Sequence, residues 1–455
     1  MTSLHHAPSP GTGNSLADRR VMTVVTLIML SITVLQRFAL PVGPLLSVSV
    51  VVTLAGLGYL LYHGDAVENP AATRAFVLAT AACCLTAGVV LVRERTGSLT
   101  SLIYLLLTWI AFCFRLHPAR HGLYSRVLDR FEKIMVAFAV IGVLQTITQA
   151  LGVWTYQDFI LQVVPEQFLF TGYNTSYPVQ YGSPIIKANG FVFLEPSVYA
   201  QFLAMALLST LVRRARAIRT VLLAAALVCT ISGTGLLFAV FGIVVLAVRR
   251  GGAWTARIVV GAVVIAAVAL STPFGQIFLK RSTEASNTNS SGSLRFVQPY
   301  QRILDSWNAD PVAALVGKGP GVADALAAEI FERTGLPINF SGVAKLIFEY
   351  GLPAAVLFGA FVALAIVRRA PAPTLALSGV FANAVLTGSL LQPQVLYLMV
   401  PLCSLFIGLP FERRVDAQHR RHGPGTRPQA ADPLTTPGEV PITVPPAHPS
   451  GLGGH

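Results

Sequence analysis

Apolar runs of membrane-spanning length recur along this chain, and they limit what it can fold into more than any other feature. They lie at Val21 to Leu35, then at about 39–62, 71–92, 99–114, 134–153, 189–212, 219–248, 254–272, 343–367, 374–391 and 395–411. A hydrocarbon core of roughly 30 Å needs about 20 apolar residues per helical crossing. The whole chain is 54% hydrophobic and only 12% charged, with a mean hydropathy of +0.65. That excludes an ordinary soluble enzyme. The expected fold is all-α: a polytopic transmembrane helix bundle of about twelve spans, with a long outer loop containing short helices.

Arginine clusters set the sidedness. Arg19 and Arg20 precede the first run, Arg115 to Lys133 precede the fifth, and Arg213-Arg214-Ala-Arg216 follows the sixth. By the positive-inside rule these are cytoplasmic, as are both termini. The first span reads as retained, because no small-x-small cleavage site follows it cleanly. Residues 1–18 and 412–455, rich in Pro, Gly, Ser and His, read as disordered ends. Between them, 19–411 forms the transmembrane domain, with outer loops at 154–188 and 273–342. Of the 33 Lys and Arg, 22 then fall inside and 11 outside; of the 20 Asp and Glu, 9 fall inside and 11 outside. The inner side carries the entire +13 and the outer side is neutral, so nucleic acid has no place among the partners.

The run from Arg219 to Val248 is flanked by basic residues at both ends, so it must turn back on itself. The turn signal is Ser232-Gly233-Thr234-Gly235. Arms of about 13 to 14 residues reach only roughly 20 Å. They read either as short helices or as a re-entrant hairpin, and in both cases the second arm's N-terminus faces outward. Such a helix start suits an anion; close packing of small residues explains the glycines equally well. The five cysteines, Cys83, Cys84, Cys113, Cys229 and Cys403, all sit in apolar runs without metal-ligand spacing and read as core residues.

Chemistry-bearing residues concentrate on the outer side. Glu195 directly precedes Pro196, which starts a helix and keeps the residue before it extended. Glu195 is therefore either a cap at the water interface or a functional carboxylate at a helix start. Lys187 supplies a cation near the same mouth, and Asn189 lies between them. Arg295 and Arg302 flank Pro299 in a segment suited to phosphate or to a solvated amphipathic face. Lys318 sits in the turn Gly317-Lys-Gly-Pro-Gly321, whose N–H groups suit an anion. Lys345 and Glu349 are spaced for an i,i+4 ion pair. Tyr156, Tyr173, Asn174, Tyr177, Tyr181, Tyr300 and Trp307 offer surfaces for a sugar or for interfacial anchoring. Long outer loops with helical patterning point to function. No metal-binding acidic cluster, phosphate-binding loop or dinucleotide fingerprint is present.

Over about 185–370 the chain resembles the bacterial O-antigen polymerase/ligase superfamily, which includes Wzy-type polymerases and lipopolysaccharide ligases. The resemblance rests on Gly190-Phe-Val-Phe-Leu-Glu-Pro-Ser197, Thr230-Ile-Ser-Gly-Thr-Gly235, Gly292-Ser-Leu-Arg295, Gly317-Lys-Gly-Pro-Gly321 and Ile347-Phe-Glu-Tyr-Gly-Leu352, in that order. It implies a GT-C-like, metal-independent glycosyltransferase of the bacterial inner membrane, without a cofactor. Such an enzyme polymerises undecaprenyl-pyrophosphate-linked repeat units into O-antigen, capsule or exopolysaccharide at the periplasmic face, in some cases with a chain-length regulator as partner.

On that reading Glu195 is the base and Arg295 the stabiliser of the leaving pyrophosphate. Arg302, Lys187, Lys318, Tyr300 and Asn189 are the substrate-binding residues. The chain departs from the family pattern twice. Phe340-Ser341 stands where ligases carry a histidine, and Gly233-Thr234 stands where the turn usually carries arginine. A ligase and a flippase of lipid-linked oligosaccharides remain the alternatives; the outer-side placement of the large loops favours an enzyme over a flippase.

Overall fold

The computed structural model describes residues 12–41, 46–170, 172–180, 182–251 and 292–422. Within them the chain is mostly helical. Its longer helices are α1 (Thr12–Thr33), α2 (Val48–Tyr62), α3 (Pro70–Arg93), α4 (Leu99–Trp109), α5 (Tyr124–Ala150), α6 (Pro196–Arg213), α7 (Ala217–Cys229), α8 (Gly233–Arg250), α9 (Gln298–Ala309), α10 (Val322–Thr334), α11 (Gly342–Val362), α12 (Pro373–Phe381) and α13 (Phe411–His422). Besides shorter helical segments there are two antiparallel ribbons, β1 (Ala39–Leu40) with β2 (Leu46–Ser47) and β3 (Ala66–Glu68) with β4 (Phe114–Leu116). Among the described residues α3, α8 and α11, the last continued to Val367, are long and apolar enough to cross a membrane; five further apolar helices are shorter.

The bundle is built round α6. Apolar side chains occupy every face of this helix, and Val198 to Thr210 are almost all buried. A helix apolar all round belongs in the middle of a bundle. Its neighbours are α5, α7, α8 and α12. The approach of α8 is close: a Cβ on Gly235 would overlap Ala200, and one on Gly242 would overlap Leu208. Glycines in the second arm of the hairpin thus serve packing.

Polar contacts sort the bundle into two ends. At the arginine end, Asp65 is held by Arg20 and Arg120, Glu132 by Arg213 and Arg219, Glu412 by Arg249, and Asp416 by Arg250 and Arg214. At the loop end, Arg37 grips Asp158, Ser98 N–H donates to the Pro320 carbonyl, and Gly342 N–H to that of Thr387. Each of these contacts joins residues that the arginine clusters assign to one side.

Several sequence expectations are corrected. Residues 12–18 belong to α1, and Asp18 pairs with Arg120, so the disordered N-terminus does not extend to 18. Likewise 412–422 belong to α13, which is docked through Glu412 and Asp416. The second run becomes helical only at Val48, after the β1–β2 ribbon. α5 starts at Tyr124 rather than near 134, because Asp129, Glu132 and Lys133 find ionic partners that extend the helix beyond the apolar run. The hairpin arms are unequal: α7 has 13 residues, but α8 has 18. The run expected at 254–272, the loop opening at 273–291 and Tyr181 lie outside the described residues.

Candidate functional site

Three chain segments meet where α6 and α8 begin, at the loop end. The first is the approach to α6. Asn189 is fully buried, and its side chain spends both amide hydrogens on Tyr156 Oη (2.8 Å) and the Thr175 carbonyl (2.9 Å). Its Oδ1 accepts from Gln145 Nε2 (3.3 Å) and the Phe191 N–H (3.0 Å). No hydrogen-bonding capacity is left for a substrate, so Asn189 is corrected from a binding residue to the residue that fixes this loop. It holds Gly190 (φ 61°) and Phe191 (φ 65°) in the left-handed region. A bulky residue there is strained, and such strain gathers at functional sites.

α6 starts at Pro196, as the sequence predicts, with extended Glu195 at its N-cap. Its side chain does not cap the helix. The half-buried carboxylate instead accepts a hydrogen bond from Ser197 Oγ (2.9 Å). Tyr173 stands close by: burial first, and then the Glu195 charge, raises its hydroxyl pKa. Lys187 lies across the Tyr177 ring at 5.0 Å, a cation–π contact that fixes the outer lip of the loop. Below it, Arg37 makes two 2.8 Å bonds to the Asp158 carboxylate, which also accepts from Thr175. Burial works against the Asp158 charge, but the Arg37 and Thr175 bonds outweigh it and hold the carboxyl below its ordinary pKa.

The second segment is the turn between α7 and α8, where Ile231 is left-handed (φ 44°). The Ala188 N–H donates to the Cys229 carbonyl, tying this turn to the Asn189 loop. The third segment brings Arg295. Its Nη1 donates to Thr234 Oγ1 (3.2 Å) in the first turn of α8. Its Nε is shut off from solvent and has no partner among the described residues. A guanidinium thus stands at a helix start at the very turn where the sequence lacks its own arginine. Gly235 packs on Ala200, just past the first turn of α6, so α6 and α8 begin side by side.

The remaining expected residues do not converge here. The helix breaks at Val297 between Ser293–Phe296 and α9, so Arg302 does not align with Arg295 and is exposed. Tyr300 shares a 3.3 Å hydrogen bond with Ser341, and Ser341 caps α11. Lys318 is neutralised by Glu94 (3.3 Å) and Asp310 (3.6 Å). The glycine-rich turn around it is no anion cradle: Lys318 and Gly319 N–H groups donate to the carbonyls of Phe348 and Glu349 (both 2.9 Å). Those carbonyls are freed where Gly351 leaves helical geometry before Pro353. Lys345 lies 4.0 Å from Glu349 but directly contacts Asp324, and Glu349 accepts from the Ala323 N–H at the start of α10.

Two pairings escaped the sequence reading: Thr234 with Arg295, and Tyr173, read there only as a loop aromatic, beside Glu195. Thr234 was visible only as a turn residue; its use by Arg295 spans 61 positions. An apolar pocket of about 370 Å³ follows α11, lined among others by Trp109, Leu346, Phe358, Val362, Val380 and Met399. Neither a protein-family model nor a curated protein matches the chain.

Proposed function

We propose that this chain is a multi-pass membrane glycosyltransferase of GT-C type that joins lipid-pyrophosphate-linked oligosaccharide units into a longer glycan on the outer face of a bacterial inner membrane. The observation that carries this reading is Arg295 held by Thr234 at the start of α8, beside the start of α6 where Glu195 stands. In the reaction, Glu195 takes the proton of the acceptor hydroxyl as its oxygen bonds to the anomeric carbon of the donor. The anomeric carbon–oxygen bond to the pyrophosphate breaks, and the charge left on the pyrophosphate is met by Arg295. The first turns of α6 and α8 add positive potential, which favours an anionic leaving group. The apolar cavity along α11 suits the hydrocarbon of a lipid carrier.

Polymerase is favoured over ligase by the role of Ser341. The position where ligases carry a histidine belongs to a helix cap bonded to Tyr300, and Phe340 beside it packs on Phe348. The test is the length distribution of surface glycan, read as a gel ladder, in cells that rely on Glu195→Gln or Arg295→Ala at matched membrane abundance. Each substitution is expected to lower polymerisation by about 10²-fold or more, collapsing the ladder toward one repeat unit. An unchanged ladder for Glu195→Gln would reduce that residue to the extended position before a helix. Lipid-linked units accumulating on the cytoplasmic face would replace the enzyme with a flippase.

A further inference from the structure

A second cationic cluster lies at the opposite, arginine end, and the glycan chemistry makes no use of it. Arg115 sits on β4, His117 directly after it, and His121 in the following short 3₁₀ helix, Pro118–Leu123. The Leu116 N–H donates to the Leu405 carbonyl (2.7 Å), and Phe411 packs its ring edge-on to Tyr124 with centroids 4.9 Å apart. The first contact ties β4 to the segment before α13, and the second seats the start of α13 on the start of α5. Arg414 follows Phe411 by three positions and His121 precedes Tyr124 by three, so each stands about one turn from that ring contact. Arg115 Nε and His121 Nε2 are both shut off from solvent, and neither has a hydrogen-bond partner among the described residues. Burial, followed by the charges of Arg115, Arg414 and His117, holds the His121 pKa below its ordinary value.

The nearby carboxylates are committed elsewhere. Asp65 is gripped by Arg20 and Arg120, Glu412 by Arg249 and Thr374, and Asp416 by Arg250 and Arg214. Glu68 pairs with Phe114, so strand alternation turns it to the face opposite Arg115. Buried donors without partners are rare, and a bound ion is one of their ordinary explanations.

We propose that Arg115, His121 and Arg414 form a binding site for a phosphate group at the arginine end. The guanidinium forks suit phosphate oxygens bidentately, and His121 Nε2–H supplies one further donor. The same chemistry is met by the phosphodiester of an anionic lipid headgroup and by soluble inorganic phosphate.

The experiment uses full-length protein in phosphatidylcholine nanodiscs, with thermal midpoint as the readout, titrated in one arm with inorganic phosphate. In the other arm the discs contain increasing phosphatidylglycerol. Stabilisation by phosphate identifies a soluble anion, and stabilisation by phosphatidylglycerol alone identifies the lipid headgroup. In the responding arm, Arg414→Gln is expected to shift the half-maximal concentration upward by roughly tenfold, the cost of a charged hydrogen bond. Arg413→Gln removes the same charge from the adjacent exposed position of α13 and is expected to leave it nearly unchanged. Both arginines are exposed, so folding is not at stake. The proposal is overturned if neither arm stabilises the protein, or if the two substitutions weaken the response equally, which would mean diffuse charge rather than a site.

Discussion

Gly351→Ala is expected to unseat the 292–341 segment from the bundle and to lower the thermal midpoint by many degrees. Gly351 has φ 76° and ψ 172°, a region open in practice only to glycine. A Cβ there would overlap the Leu315 carbonyl, which is rigid backbone and cannot swing aside. Facing it, Gly317 is equally constrained (φ 74°, ψ −163°), and a Cβ on it would overlap the Glu349 carbonyl. Two glycine-only positions therefore allow two backbones to touch, and Lys318 and Gly319 N–H groups close the joint on α11. Strain of about 1–3 kcal/mol adds to an overlap cost of similar size, about 2–6 kcal/mol in all. That is a large part of a typical folding free energy of roughly 5–15 kcal/mol. The measurement is the thermal midpoint in detergent together with the rate of proteolytic cutting within 292–341. Gly359→Ala, on the same helix with open space around it, is the control; it is expected to be neutral or stabilising by up to about 1 kcal/mol. Equal behaviour of the two variants would remove the joint from the account.

That joint shows which parts of the molecule could be read from the sequence. The start of α6 was legible because Glu195-Pro196 carries its own backbone restriction, and its central place because apolar residues cover all its faces. The two stretches of the loop with amphipathic patterning, Leu294 to Trp307 and Val322 to Arg333, became α9, with its short lead-in, and α10. The grouping of charged residues at two ends was legible because arginine clusters mark one of them, and the ion pairs described above keep to that grouping. What the sequence did not disclose were long-range partners. Lys318 looked like a free cation because Glu94 is remote in sequence from it and Asp310, just past the end of α9, is brought back to it only by the fold. The glycine turn looked like an anion cradle because its true acceptors, carbonyls freed at Gly351 and Pro353, belong to a helix kink. Pro353 inside an apolar run was the available signal. Asn189 looked like a substrate-binding residue because polarity alone does not reveal that four hydrogen bonds consume it. Arg295 came through with its expected end of the bundle, but its anchor Thr234 needed the third dimension.

At the arginine end, Glu132→Ala is expected to cost about 3–5 kcal/mol, the usual result of removing one partner from a buried ionic group. Glu132 is fully buried and accepts from Ser209 (2.8 Å), Arg213 (2.7 Å) and Arg219 (3.3 Å). Without it, two guanidinium groups would share only Asp129, at 3.5 and 2.8 Å. Arg219→Ala should cost less, because Arg213 still neutralises Glu132. Asp129 makes the same cluster sensitive to acid. Partial burial disfavours its charge, but bonds from Arg219 and Lys133 and the charge of Arg213 prevail and lower its pKa from 3.8 to about 2. A carboxylate with a folded pKa below its unfolded one stabilises the fold above the unfolded value and loses that contribution as pH falls through the folded one. The stability gap between the native chain and Asp129→Asn should therefore be complete above about pH 4 and close toward pH 2. Thermal midpoints of both proteins across that range test it, since titration of other carboxylates is common to the pair. A gap that stays constant with pH would show that Asp129 contributes through packing alone. A gap that closes while Glu132→Ala remains costly at every pH would separate the solvated half of the cluster from its buried half.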